Sequence, residues 1–304
     1  MNEFFRHVMH PFPVAVSSAP GGSFMEGLPE HAWIVGLAYA VLIVIGLVVN
    51  VALAIRFFFR PIRWSERVQS LEQRPWSSGE AMRLLLFLTL LYVLVSLAQH
   101  VLGGDTESLG VIWVVLQSLL FHVAGLAYVV ASLRRQRLSW SETFGLDSGR
   151  IGGQVGTAVL LYLAMLPLLW FYTMLYQVGL RSAGYEPLPQ EVVTVFASES
   201  SLWLRAYMVL LAAVVAPLFE EVLFRGIALP VLARQRGVTG AVVIMAAVFA
   251  AIHFHVPSLV PLFIVAVAFS IGYIYSGSLL VPVVMHGLFN TVNLVLLAVL
   301  RPSG

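Results

Sequence analysis

Apolar residues run along this chain in blocks of about 20, separated by short polar stretches. A block of that length is what an α-helix needs to cross a bilayer core. Eight are predicted, over residues 33–57, 84–102, 109–133, 155–180, 202–233, 241–255, 259–275 and 279–300. The sixth and seventh are short enough to tilt or kink. The fifth is long and contains Pro217 and Pro230. Each proline removes one helical hydrogen bond, so bends are predicted there. No internal repeat or low-complexity tract interrupts the series. The expected division is a non-cytoplasmic tail over residues 1–32, four helices over 33–182 and four more over 200–300.

Composition agrees with that pattern. Of 304 residues, 60% are hydrophobic and 11% charged, and the mean hydropathy is +0.91. A soluble domain carries about 25% charged residues. The chain therefore reads as an all-α, polytopic membrane protein. All 17 basic residues are arginine, and the pI near 9.0 rests on them. They cluster in short loops, as topology determinants do, so the basic balance is no sign of a nucleic-acid partner; the bilayer is the partner it implies. Cysteine is absent, which excludes disulfides, thiolate metal sites and cysteine nucleophiles. The first residues, with three prolines and no long apolar core, do not resemble a cleaved signal.

The loops alternate in charge. The first holds Arg60, Arg63, Arg67, Arg74 and Arg83; the third holds Arg134, Arg135, Arg137 and Arg150; the fifth holds Arg234 and Arg236. The even loops are poor in arginine. Odd loops are therefore expected in the cytoplasm and both termini outside it. Trp33, Trp76, Trp140 and Trp203 fall near span ends and suit an interfacial belt.

Against this apolar background a few polar residues stand out. Glu220, Glu221 and Arg225 lie in the fifth block. A charge at mid-membrane costs about 2.5–3.5 kcal/mol on the insertion scale, so three need a reason. Glu221 and Arg225 are four apart, share a helix face and can pair. Glu220 points about 100° away and has no such partner. His253 and His255 end the sixth block, and His286 and Asn290 share a face of the eighth. His100 and His122, the latter near Gln117, serve as controls and read as packing or helix–helix hydrogen bonds. A carboxylate beside an imidazole can deprotonate water, while a second imidazole and an amide donate to an oxyanion. The same Glu and His residues are also competent ligands for a divalent metal such as zinc.

Three ordered motifs carry a resemblance: Glu220-Glu221-x-x-x-Arg225, then Phe249-x-x-x-His253, then His286-x-x-x-Asn290. They resemble those of the CAAX-protease and bacteriocin-processing (CPBP, or Abi) intramembrane proteases, over about the last third of the chain. The resemblance implies eight helices around a polar cavity and hydrolysis of peptide bonds in membrane-associated or exported substrates. It implies Glu220 as the base that activates water with His253 beside it, and His286 and Asn290 on the oxyanion side. Glu221 and Arg225 would orient the motif helix. Members are often labelled metalloproteases; the glutamate-dependent account without a bound metal is the one expected here, with Glu220, His253 and His286 as the ligands if a metal is bound. His255 lies outside the motifs and is expected at most to support them. The alternatives are a non-catalytic scaffold or immunity-type protein of the same fold, and a transporter or proton channel. A lysine-free, cysteine-free chain reads as bacterial, which places it in the cell (inner) membrane. Helical rise puts the site near mid-membrane, in the outer half.

Overall fold

A computed structural model describes residues 32–102, 107–185, 190, 196 and 201–299. The tail expected over residues 1–32 lies outside them apart from Ala32. All regular structure among the described residues is helical. The helices are α1 (Ala32–Phe59), α2 (Trp64–Glu72), α3 (Ser78–Leu102), α4 (Glu107–Gln136), α5 (Trp140–Phe144) and α6 (Ile151–Ser182). They continue as α7 (Leu202–Leu210), α8 (Ala216–Glu221), α9 (Leu229–Ala251), α10 (Leu259–Ser276) and α11 (Leu280–Val299). Seven helical runs are long and apolar enough to cross a membrane.

The fifth of these runs, Leu202–Ala251, holds two crossings rather than one. As a straight helix its 50 residues would reach about 75 Å. Instead Gly237 adopts φ 72°, ψ 160°, a left-handed value that glycine reaches without a Cβ penalty. The Phe224 and Phe249 rings, 25 residues apart, meet at 5.3 Å. The chain therefore folds back at Gly237, and the fifth and sixth predicted spans are its two arms.

The two prolines act more locally than a simple bend. α7, α8 and α9 are joined through π-helical turns at Leu211–Val215 and Val222–Ala228. Each turn ends shortly before a proline, Pro217 or Pro230. A wider turn leaves room for a ring that cannot donate to the ladder.

Packing runs in one series: α1 on α6, α6 on α10 and α11, these on the α8–α9 arms, and α4 with α3 beyond α8. Glycine sets the closest approaches. A Cβ on Gly46 would come within 2.3 Å of the Leu163 carbonyl oxygen, and one on Gly125 within 2.3 Å of the Phe219 ring. Gly125 thus lets α4 seat against the residue that precedes Glu220.

The loop arginines do more than set topology. Arg74 donates to the carbonyls of Glu142 at 2.8 Å and Gly277 at 2.5 Å. Arg234 donates to the carbonyls of Glu72, Arg74 and Trp76. The first, third, fifth and seventh loops therefore meet on one face of the bundle. Trp76, expected in an interfacial belt, is instead buried there, its ring 6.1 Å from that of Phe144. Trp33, Trp140 and Trp203 are exposed, as a belt requires.

Candidate active site

α8 is a short helical segment bracketed by the two π turns, and it ends on Glu220 and Glu221. Glu221 is wholly buried. Its Oε1 accepts from Arg225 Nη1 at 2.8 Å and from His286 Nδ1 at 2.8 Å. Arg225 is 1% exposed. It also donates to the Ala266 carbonyl at 2.9 Å and reaches the Ser270 hydroxyl at 3.5 Å. Its guanidinium lies 4.9 Å from the Phe249 ring centre and 5.4 Å from that of Phe269. The buried cation is thus neutralised by Glu221, hydrogen-bonded to α10 and faced by aromatic rings, as a charge in low dielectric must be. The charges of the fifth span do pair as the four-residue spacing suggests.

The arrangement of His286 is not one the sequence suggested. It belongs to α11, packs on the Phe269 ring at 5.1 Å and stands between the two glutamates. Because the Glu221 carboxylate can only accept, the Nδ1 of His286 carries the donated proton, which fixes the ring's orientation. Nε2 then faces Glu220, 3.9 Å from its Oε2, which is beyond hydrogen-bond length. The Glu220 side chain is 26% exposed, and its Oε2 has no hydrogen-bond partner among the described residues. One glutamate is locked and its neighbour is uncommitted.

His253 stands differently from expectation. α9 ends at Ala251, so His253 lies in the turn beyond the helix rather than inside the span. Its Nδ1 bonds to the Phe249 carbonyl at 2.6 Å, and its ring lies 4.9 Å from that of Phe249. Phe249 also meets His286 at 5.8 Å, so one phenylalanine spaces the two imidazoles. The loop that carries His253 is tied to α6, where Tyr176 donates to the Val256 carbonyl and Gln177 to that of Pro257. This is the end of the bundle opposite the arginine loops. His255 bonds to Ser258 within that loop. Asn290, one turn beyond His286, donates to the Ala212 carbonyl at 2.7 Å.

The control His122 behaves as packing. His122 bonds within its own helix to the Ser118 carbonyl, and its ring rests on Phe219 at 5.0 Å. Gln117 bonds to Ser96 across α3 and α4. Among the residues the motifs did not announce, Ser270 and Phe269 hold Arg225 and His286. A hydroxyl within the apolar stretch of α10 was the available signal for Ser270.

Fold and site together define an integral membrane protein with a buried glutamate–arginine–histidine cluster among its last four crossings. Residues 201–292 match the family model described as type II CAAX prenyl endopeptidase Rce1-like. That segment holds all three motifs, and the match is consistent with the intramembrane proteases they resemble. No curated protein and no solved structure matches the chain.

Proposed function

We propose that the protein is an intramembrane endopeptidase, with Glu220 as the base. One observation carries the reading: His286 is held by Glu221 through Nδ1 and presents Nε2 toward Glu220, a partly exposed glutamate 3.9 Å away. With a second proton on His286, the charges of Glu220, Glu221, Arg225 and His286 sum to zero, which a membrane interior favours. Glu220 takes a proton from water as the water oxygen attacks the substrate carbonyl. The His286 Nε2–H then donates to the oxyanion that forms. Collapse breaks the C–N bond, and the proton on Glu220 passes to the leaving amine. His253, whose ring meets the Phe249 ring that also meets His286, is the group we assign beside this pair. Glu221 and Arg225 orient the helix and the imidazole.

A zinc ion would need Glu220, His253 and His286. Among the described residues no three metal-ligating side chains converge, so the reading routes no step through a metal. The substrates we infer are peptide segments of membrane-anchored or exported proteins, which reach the site from within or beside the bilayer. No residue here speaks for a prenyl group. The proposed setting is a bacterial inner membrane with the arginine loops in the cytoplasm, both termini outside it and the site in the outer half.

The test compares wild type with Glu220→Gln in cell membranes by terminal-peptide mass spectrometry, with and without a chelator. The expected result is a set of new termini lost in the variant and retained with chelator. Identical termini in both strains, with the variant rescuing a deletion, would replace the peptidase by a non-catalytic protein of the same fold.

A further inference from the structure

Asn290 is placed by its motif beside the reacting groups, but its observed bond leads elsewhere. Its amide nitrogen reaches the carbonyl of Ala212, in the π turn between α7 and α8. In that turn the Ala216 N–H donates to the Leu211 carbonyl, five residues back. The next bond of the same register would run from residue 217 to the Ala212 carbonyl. Residue 217 is proline and has no N–H. The carbonyl is left without a backbone donor four residues before the start of α8, inside a membrane protein where such a group is expensive.

α11 is shaped to supply the donor. A Cβ on Gly287 would lie 2.7 Å from the neighbouring Ala213 carbonyl. Only glycine there lets α11 come so close to the interrupted ladder. Asn290, one turn further on, then spans the gap. A carbonyl only accepts, so the amide nitrogen, not its oxygen, must face it. Gly287 follows His286 directly, so the same stretch of α11 that bonds Glu221 also completes the turn below it.

We infer that Asn290 is a positioning residue: it gives the Ala212 carbonyl the hydrogen bond that Pro217 cannot, and so fixes the register in which α8 presents Glu220 and Glu221 to His286. The kinetic half of this inference rests on the peptidase reading; the stability half does not. The pair Asn290 and Pro217 should behave as one unit, because a residue with an N–H at position 217 makes the amide redundant.

The experiment is a cycle of wild type, Asn290→Ala, Pro217→Ala and the double variant, each purified in detergent. Thermal unfolding is read first and needs no activity. Asn290→Ala should lower Tm in the Pro217 chain and lower it much less in the Pro217→Ala chain. Cleavage of a peptide found in the wild-type terminal-peptide comparison is read second. Asn290→Ala should reduce kcat about tenfold or more with Pro217 present and less than about threefold without it, with KM little changed. Asn290→Leu, which fills similar space but has no N–H to donate, should follow alanine. An equal loss in both backgrounds would overturn the inference and leave the amide acting on the reaction directly. Absence of cleavage by wild type would count against the peptidase reading while leaving the Tm cycle to decide the Asn290–Pro217 coupling. Pro217→Ser, which also restores the N–H, stands in if Pro217→Ala does not fold. Loss of folding in both would mean that the helix depends on the proline ring itself, and that too would overturn the inference.

Discussion

Exchanging Glu221 for glutamine removes one charge from a place that solvent does not reach. Glu221 is fully buried and Arg225 is 1% exposed. Glutamine's oxygen can still accept from Arg225 and His286, so the shape and hydrogen bonds survive. What disappears is the nearest counter-charge of a buried guanidinium. Breaking a buried ion pair from one side costs about 3–5 kcal/mol, and the retained hydrogen bonds place this case near the lower end, at about 3 kcal/mol. The same exchange at Glu220, 26% exposed and with its Oε2 unbonded among the described residues, should stay within about 1 kcal/mol. Two adjacent, chemically identical residues are thus expected to differ by about 2 kcal/mol or more. Removing both charges, in Glu221→Gln with Arg225→Met, should cost less than the sum of the single variants, with a coupling above about 1 kcal/mol. Equilibrium unfolding in mixed micelles against added dodecyl sulfate, followed by tryptophan fluorescence, measures all of these. A Glu221→Gln variant within about 1 kcal/mol of wild type, or a Glu220→Gln variant as unstable as Glu221→Gln, would refute the division into a locked and an uncommitted carboxylate.

Other consequences are checked more simply. Gly125→Ala should displace Phe219, whose ring lies 2.3 Å from the added Cβ, at a cost of about 1–3 kcal/mol in the same unfolding assay and with a loss of cleavage. Gly46→Ala should show a similar stability loss without a change in the pH profile of cleavage, because it disturbs α1 against α6, away from the glutamates. Outside the spans, hydrogen bonds from the Ser139 hydroxyl and N–H hold the Glu142 carboxyl below its usual range. A depressed acid stabilises above its unfolded pKa, so the α5 cap should be intact at neutral pH and weaken as pH falls below about 4. Hydrogen exchange at Thr143 and Gly145 should report this, and Ser139→Ala, which removes the hydroxyl but keeps the N–H, should weaken the pH dependence. Arg74→Gln should loosen the face where the odd loops meet, seen as faster proteolysis of the loop around Glu142.

The spans were readable because the membrane imposes one rule on every crossing, and a 20-residue apolar block satisfies it in only one way. The same rule identified Glu220, Glu221, Arg225, His253, His286 and Asn290 as residues needing a reason. Their partners were not readable. Spacing along one helix predicts the Glu221–Arg225 pair, since both ends belong to one face. Nothing in the sequence says which of two adjacent glutamates His286 will meet, because that depends on how α11 is rotated against α8. Nor does spacing show that α9 ends before His253. The cap boxes Ser77 to Glu80 and Ser139 to Glu142 were signals available in the sequence. The first explains why α3 begins at Ser78, ahead of its apolar block. The arginine loops misled in the opposite direction: charge bias accounts for Arg74 and Arg234 so well that their carbonyl contacts are not looked for.

Proline points to a common solution in this bundle. Pro167 interrupts α6, and Asn50 of α1 donates to the Ala164 carbonyl at 2.8 Å while Gly46 admits the Leu163 carbonyl. Pro217 is the second residue of α8, and Asn290 of α11 donates to the Ala212 carbonyl while Gly287 admits that of Ala213. In each case a proline, an asparagine and a glycine three or four residues from it join two crossings. The carbonyl that Pro167 frees is that of Leu163, met by Gly46, and Asn50 bonds the next one. The carbonyl that Pro217 frees is that of Ala212, bonded by Asn290. In both places a glycine lets the asparagine reach its partner helix. The first triad fastens the outermost helix α1 to the bundle. The second stands one turn below the glutamates. A device of the same chemistry serves stability in one place and, in the other, determines where the carboxylates of α8 are held.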